Sequence, residues 1–361
     1  MKNYIKAFYV ILLLLQMIMT TSCEDVTVLS LNGFSKLSNL VVKDSIVLEE
    51  KDILNPHYVC YKDSFLVFNS LNGRREIQLL DLKTEIVTEF EVIGLGRNEM
   101  QNYHSMNSSL KNVYMFADNR LGRVYGICLD SLRVNGKTDY DLFLSLPLEE
   151  NSHFYRFMET PNYIIGIGML KGGRFGVFKK NANCYKEQME YPVNEDIEKM
   201  DYRYRGALYS RTMMASNNNG KRMVAACFGL VDFYSITDSG DMNLEKSNHY
   251  HFPQFKMRTT GPMITYSKED KVGIMGLCAD ERFVYALYSD KTFKEYGEKA
   301  YSATYLLVWN WDGEPVRAYK LPVDLYCFTM NGDTIYGLSR DSSPIVYVLE
   351  LHKMDNWEDE N

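Results

Sequence analysis

Basic charge is the first thing this sequence lacks: 40 Lys and Arg stand against 47 Asp and Glu, a formal net of −7. Without a basic excess there is no electrostatic footprint for a nucleic-acid binder. Proline is sparse, 9 residues in 361, and glycine numbers 23, which excludes a collagen-like chain. Long apolar runs are missing apart from one of 13 residues near the N-terminus, so a multi-pass membrane protein is excluded as well. None of the seven cysteines stands in a CxxC pair, and a zinc knuckle or thioredoxin-like site has no support. P-loop, G-x-S-x-G, H-E-x-x-H and EF-hand patterns are all missing.

What is present is material for a folded core. Hydrophobic residues make up 46% and charged residues 24%, which rules out disorder. Aromatics reach 13%, led by 27 Tyr, a composition that suits strands. At the N-terminus, Lys2 and Lys6 precede the apolar run Ala7 to Met19, and "TTSC" ends at Cys23. A positive region, a short apolar region and small residues before a cut predict a signal peptide over residues 1–22. "TTSC" resembles the lipobox of bacterial lipoproteins, with Thr20 where Leu is usual, which implies a lipid-modified Cys23. Glu24 and Asp25 resemble the acidic export tag of surface lipoproteins. The expected address is the cell envelope, as an outer-membrane lipoprotein facing the periplasm or the surface. Cleavage would remove two lysines and leave 38 basic against 47 acidic residues, a net of −9. The other six cysteines sit in contexts such as "YVCY" and "AACFGL", so buried free thiols are expected ahead of disulfides.

Across residues 23–361 one pattern repeats. Alternating apolar runs begin at Phe65, Asn112, Tyr163, Met223, Phe283 and Thr334, at separations of 47, 51, 60, 60 and 51 residues. Most are followed by a second run, such as "REIQLLDL", "GRVYGICLD" or "PIVYVLEL". Asn72-Gly73, Asn135-Gly136, Asn219-Gly220, Asp312-Gly313 and Asn331-Gly332 mark hairpin turns, and Gly172-Gly173 marks another. Six units of about 50 residues predict an all-β, six-bladed β-propeller of four-stranded antiparallel blades in a single domain. A pair of β-sandwiches is the alternative, disfavoured by the regular period. Val26 to Lys51 alternates without starting a unit and is expected to supply the outer strand of the last blade. Two stretches interrupt the period: Val193 to Arg211, with a short helix expected, and Asp290 to Ala303, expected as a long loop in blade five.

Three segments carry a family likeness: "GLGRNE" (Gly94 to Glu99), "LLVWNWDGEPVRAYKLP" (Leu306 to Pro322) and "DTIYGLSRDSSPIVYVLEL" (Asp333 to Leu351). With the blade spacing, they make the chain resemble the six-bladed, TolB-like β-propeller lipoproteins of Bacteroidetes. These motifs are turns and strands; the resemblance implies a fold and no catalytic residue.

Four groups of residues are candidates for a site. Arg97 and Glu99 lie in the glycine turn, where an exposed ion pair is the plainer reading. Tyr202, Arg203, Tyr204 and Arg205 interleave rings that can face sugars or peptides with forks that bind carboxylates or phosphates; an ordinary strand with one aromatic face is the alternative. His249 and His251 alternate on one strand and could approach one metal ion, although no third ligand is near. Asp118, Glu159, Asp232 and Asp280 lie near strand ends and would have to converge to hold calcium in an axial channel. Two functions follow. The first is a lipid-anchored, non-catalytic binder of protein, peptide or glycan that needs no cofactor. The second is a calcium-dependent hydrolase or lyase working in the channel. A scaffold role in an envelope complex is a third, by analogy of fold.

Overall fold

A computed structural model describes residues 33–34, 36–71, 75–91, 103–135, 140–148, 153–180, 184–258, 261–340 and 343–351. Cys23, Arg97, Glu99 and the Asn72-Gly73 turn lie outside them. Within them the expected period becomes six sheets, because each alternating run has two apolar-compatible faces that one small sheet cannot bury alone. Blade one begins with the inner strand Pro56–Lys62, blade two with Tyr103–Ser105, and blade three with His153–Glu159. Blades four, five and six begin with Met213–Ser216, Lys271–Ala279 and Cys327–Asn331. The runs read from sequence are the second strands: Phe65–Leu71, Val113–Asp118, Tyr163–Met169, Arg222–Cys227, Phe283–Thr292 and Thr334–Ser339.

The ring closes through the N-terminal segment. Blade six has three strands of its own, and Val42–Val47 adds the outer fourth, antiparallel to Ile345–Glu350. Just before it, Leu37–Asn39 runs parallel to Pro315–Leu325 and makes blade five five-stranded, which the sequence reading lacked. Apolar cores then fill every gap between neighbouring blades, including one joining blade six (Leu338, Val346) to blade one (Val59, Leu66, Phe68). Trp309 is fully buried between blades four and five, with Phe34 edge-on to its ring at 5.1 Å.

The turns follow their residues. Gly220, Gly313 and Gly332 adopt φ of 69°, 78° and 55°, the left-handed conformation that Asn-Gly and Asp-Gly turns supply. At Gly173 the reason is space: a Cβ there would stand 2.5 Å from the Gln188 carbonyl oxygen. Other expectations change. The run ending at Cys128 passes into a helix, Leu129–Asn135, where the Asn135-Gly136 pair had suggested a tight hairpin. The short helix expected within Val193 to Arg211 forms at Tyr202–Leu208, capped by the Asp201 carboxylate accepting from the Arg203 backbone N–H at 3.0 Å, so the strand considered for Tyr202 to Arg205 does not form. Residues 290–303 extend a strand to Thr292 and then turn through two short helices, Phe293–Tyr296 and Gly297–Tyr301. An extra hairpin, Phe255–Met257 with Ile264–Tyr266, stands between blades four and five. All six described cysteines are free; Cys60, Cys227 and Cys327 are buried, but Cys184 is exposed because its "NANCYK" context offers no apolar face.

One buried ion pair joins blades three and four. Arg174, fully buried, donates to Asp232 at 2.6 Å and to the Tyr234 hydroxyl at 3.0 Å, and its guanidinium lies over the rings of Phe175 and Tyr209. Ser247 and His249 bring Asp232 further hydrogen bonds at 2.9 and 2.7 Å. Burial works to raise the Asp232 carboxyl, yet the His249 hydrogen bond and the Arg174 charge outweigh it and hold it below the usual range.

Two outcomes are expected. A chain beginning at Leu48 bares the edge of Ile345–Glu350 and self-associates in sedimentation; a monomer with an unchanged unfolding midpoint would rule out this closure. Asp232→Asn strands the Arg174 charge and lowers stability by about 3–5 kcal/mol in urea unfolding. Because the Asp232 carboxyl is depressed, its contribution is complete above an unfolded value of about 3.9 and is lost as the pH falls through the lower folded value. The variant's deficit therefore shrinks in acid.

Candidate functional site

Six inner strands converging on one axis leave a channel with a cavity of about 690 Å³, within the range of small-ligand sites. Its wall mixes rings (Tyr58, Tyr103, Tyr266, Tyr301, Tyr326), thiols and thioethers, His57 and His104, and two arginines, Arg156 and Arg211. No Asp or Glu lines it among the described residues. His57, Tyr58, Val59 and Cys60 of blade one's inner strand all border it.

Arg156 comes from the middle of the inner strand of blade three, beside a register shift between Phe154 and Arg156 that re-aims the side chain. It makes no hydrogen bond or ion pair with a described residue, and water still reaches it. Burial first, and the like charge of Arg211 in addition, lower its guanidinium, while Tyr58 and Cys227 act in the opposite direction. Arg211 immediately precedes the inner strand of blade four. Its guanidinium lies 5.4 Å from the Phe228 ring centre and 5.7 Å from that of Tyr301. Tyr266 packs on the same Phe228 ring at 5.0 Å and donates its hydroxyl to the Leu208 carbonyl at 2.9 Å. Burial pushes the Tyr266 phenol up to about 12.

These residues share one face of the ring for a topological reason. In an antiparallel blade the connections between blades and the turns from second to third strand leave on the same side. Arg211 and Tyr266 belong to the connections, Phe228 and Tyr301 to the second-to-third turns of blades four and five. The two interruptions seen in the sequence, 193–211 and 290–303, therefore meet at one end of the channel.

Three thiols, Cys60, Cys278 and Cys327, stand on the wall and are pushed up by burial, Cys327 to about 11, so they remain protonated. Cys278 donates to the Phe328 carbonyl and Cys327 to that of Val59. Among the described residues no group of three His, Cys, Asp or Glu is placed to hold a metal ion.

The candidates read from sequence stand elsewhere. Tyr202, Arg203, Tyr204 and Arg205 share the short surface helix. Arg203 pairs with Asp201 at 2.8 Å, Tyr204 donates to the Arg258 carbonyl, and Arg205 donates to the Met200 and Glu198 carbonyls. His249 is held by Asp232, whereas His251 lies over Gly229 with its imidazolium form disfavoured by burial; a register shift separates their pairings. The four carboxylates do not converge. Asp118 accepts from the backbone N–H groups of Arg120 and Leu121, and Asp280 from those of Arg282 and Phe283, as turn formers do. Glu159 accepts from the Ser109 N–H, two serine hydroxyls and Lys180, and Asp232 is spent on Arg174. Arg156 and Arg211 were missed. Their signal was an arginine in or next to the strand before the alternating runs of blades three and four ("FYRFME", "SRTMMAS"), where the ring geometry turns a side chain to the axis.

A family model described as TolB-like 6-blade propeller-like matches residues 34–333. No curated protein matches the chain in sequence. Among solved structures, the chain is similar to the β-propeller domain of Cps50 (Swd1) from Myceliophteria thermophila, at 10% identity and a TM-score of 0.44, covering 87% of this chain and 100% of that one. The RRP9 WD40 repeats match at 10% identity and 0.45, covering 87% and 100%. Raptor from Chaetomium thermophilum matches at 10% and 0.45, covering 89% of this chain and 29% of its own. Six blades, five of four strands and blade five of four antiparallel strands plus the parallel Leu37–Asn39, agree with the family model, which spans most of the sequence: the chain belongs to the TolB-like six-bladed propeller family.

Proposed function

We propose that this chain is a lipid-anchored propeller of the cell envelope that holds a protein, peptide or glycan partner and performs no reaction on it. The observation that carries this reading is the composition of the channel wall: tyrosine rings, hydroxyls, arginines and apolar groups, with no carboxylate among the described residues. Such a wall offers flat faces and hydrogen-bond donors, the equipment of recognition. Among the described residues no carboxylate stands there to act as a general acid or base. The calcium-dependent reading needs hard oxygen ligands. The four carboxylates put forward for it are committed to turns, serines and basic partners. The anchor is supported by the leader and Cys23, since several acyl chains at about 0.8 kcal/mol per buried CH₂ hold a protein stably to a bilayer.

Thermal unfolding in EDTA and then in excess calcium is expected to give one midpoint. A rise of several degrees with calcium would replace this reading with the metal-dependent one. Mass spectrometry of the membrane fraction is expected to find a chain that begins at acylated Cys23, and Cys23→Ala to release the protein from the membrane. An unmodified chain beginning at Met1 would defeat the anchor.

A further inference from the structure

We infer that the channel binds an anionic solute, its carboxylate or phosphate held by the guanidiniums of Arg156 and Arg211 and its body against the tyrosine rings beside them; this deepens the binding reading above and rests on it.

Four other arginines of this protein hold partners of their own. Arg174 is paired with Asp232, Arg133 with Asp63, and Arg340 donates to the Pro56 carbonyl. Arg205, too, is anchored on two backbone carbonyls. Arg156 and Arg211 differ. Arg156 has neither hydrogen bond nor ion pair among the described residues, and Arg211 has only ring faces. Two like charges facing one cavity without a counter-charge are unfavourable until an anion enters, and the shared cavity is where it would enter. Arginine forks suit carboxylate and phosphate oxygens in bidentate geometry.

The surroundings narrow the class. The chain as a whole is acidic, so these two charges are not part of a generally basic surface that would collect polyanions. A volume of about 690 Å³ admits a small molecule or the end of a short chain, and excludes a folded domain. Tyr301, against the Arg211 guanidinium, and Tyr266, joined to it through Phe228, give a ring platform beside that charge. Sugar acids and phosphorylated small molecules share this chemistry: one anionic group and a body that lies against rings.

The test is calorimetric titration of the mature chain at constant ionic strength with inorganic phosphate, with glucuronate, and with glucose as the neutral control. A saturable response to phosphate or glucuronate is expected, with none to glucose, and which anion binds tells phosphate from carboxylate. Arg156→Met with Arg211→Met is expected to weaken that response at least tenfold. The same double variant is expected to keep or raise its ligand-free unfolding midpoint, because a like-charge repulsion has gone. Should that variant not fold, Arg211→Lys keeps the charge and loses the fork, and a several-fold weakening is expected. A response that follows ionic strength alone, or that survives unchanged in these variants, overturns the inference. Binding of neutral glucose oligomers with both anions inert overturns it too, and leaves the binding reading standing.

Discussion

The antiparallel pairing of Val42–Val47 with Ile345–Glu350 is the constraint on which the molecule depends. Each blade has two faces and can bury both only against neighbours, so an open row of six would leave two faces and two edges to water. Closing the row converts them into a sixth core, in which Leu48 and Ile53 pack with Val59, Leu66 and Leu338. The closing segment does more than fill an edge. Three residues upstream, Leu37–Asn39 lies on blade five, and Phe34 reaches the Trp309 ring. One stretch of chain therefore fastens two blades to each other and brings the two ends of the fold together. The cost is the loop-closure entropy of nearly the whole chain, which the long-range contacts must offset together.

Ring closure also explains which parts of the structure were legible in the sequence. Second strands are buried on both faces and run six to ten residues, so their alternation and apolar content stand out; all six were found to within a residue of their starts. Turns with glycine at positive φ were equally legible, because the backbone conformation restricts the residue type. Inner strands were not. Tyr103–Ser105 has three residues and Met213–Ser216 four, too short to display a period of two. Their side chains face the axial cavity in part, so they need not be apolar. The candidate site is built from those strands and the connections before them, so Arg156 and Arg211 carried no pattern of their own. Tyr202 to Arg205 drew notice as a local motif, but a motif cannot reveal that Arg205 is already bonded to the carbonyls of its own connection.

The electrostatics of the interior show the same division. Carboxylates near strand ends are consumed where they arise: Asp118 and Asp280 fasten their own hairpins, and Glu159 gathers the serines of a neighbouring blade's loop. Asp232 neutralises Arg174 across a blade gap. Each is explained by the stability of a turn or a buried charge, which needs no ligand. Against that background of paired charges, a channel wall with arginines and, among the described residues, no acid is the departure from the rule, and departures from local satisfaction concentrate where proteins act.

Why the departure falls at one end of the channel follows from the connections. A propeller's inner strands set the width of the axis, but their short length leaves few positions for chemistry. Segments outside the blade plan are free to vary without disturbing the six cores. Here three of them, the connection 193–211, the hairpin 255–266 and the turn 293–301, arrive on the same face because antiparallel blades send those links to the same side. They deliver Arg211, Tyr266 and Tyr301 to one contiguous group around Phe228. The ring fixes where a ligand can enter, and the insertions, together with Arg156 of blade three, fix what it meets there. A change of ligand class would then require new residues in these three segments and at inner-strand positions such as Arg156, with the six cores left as they are.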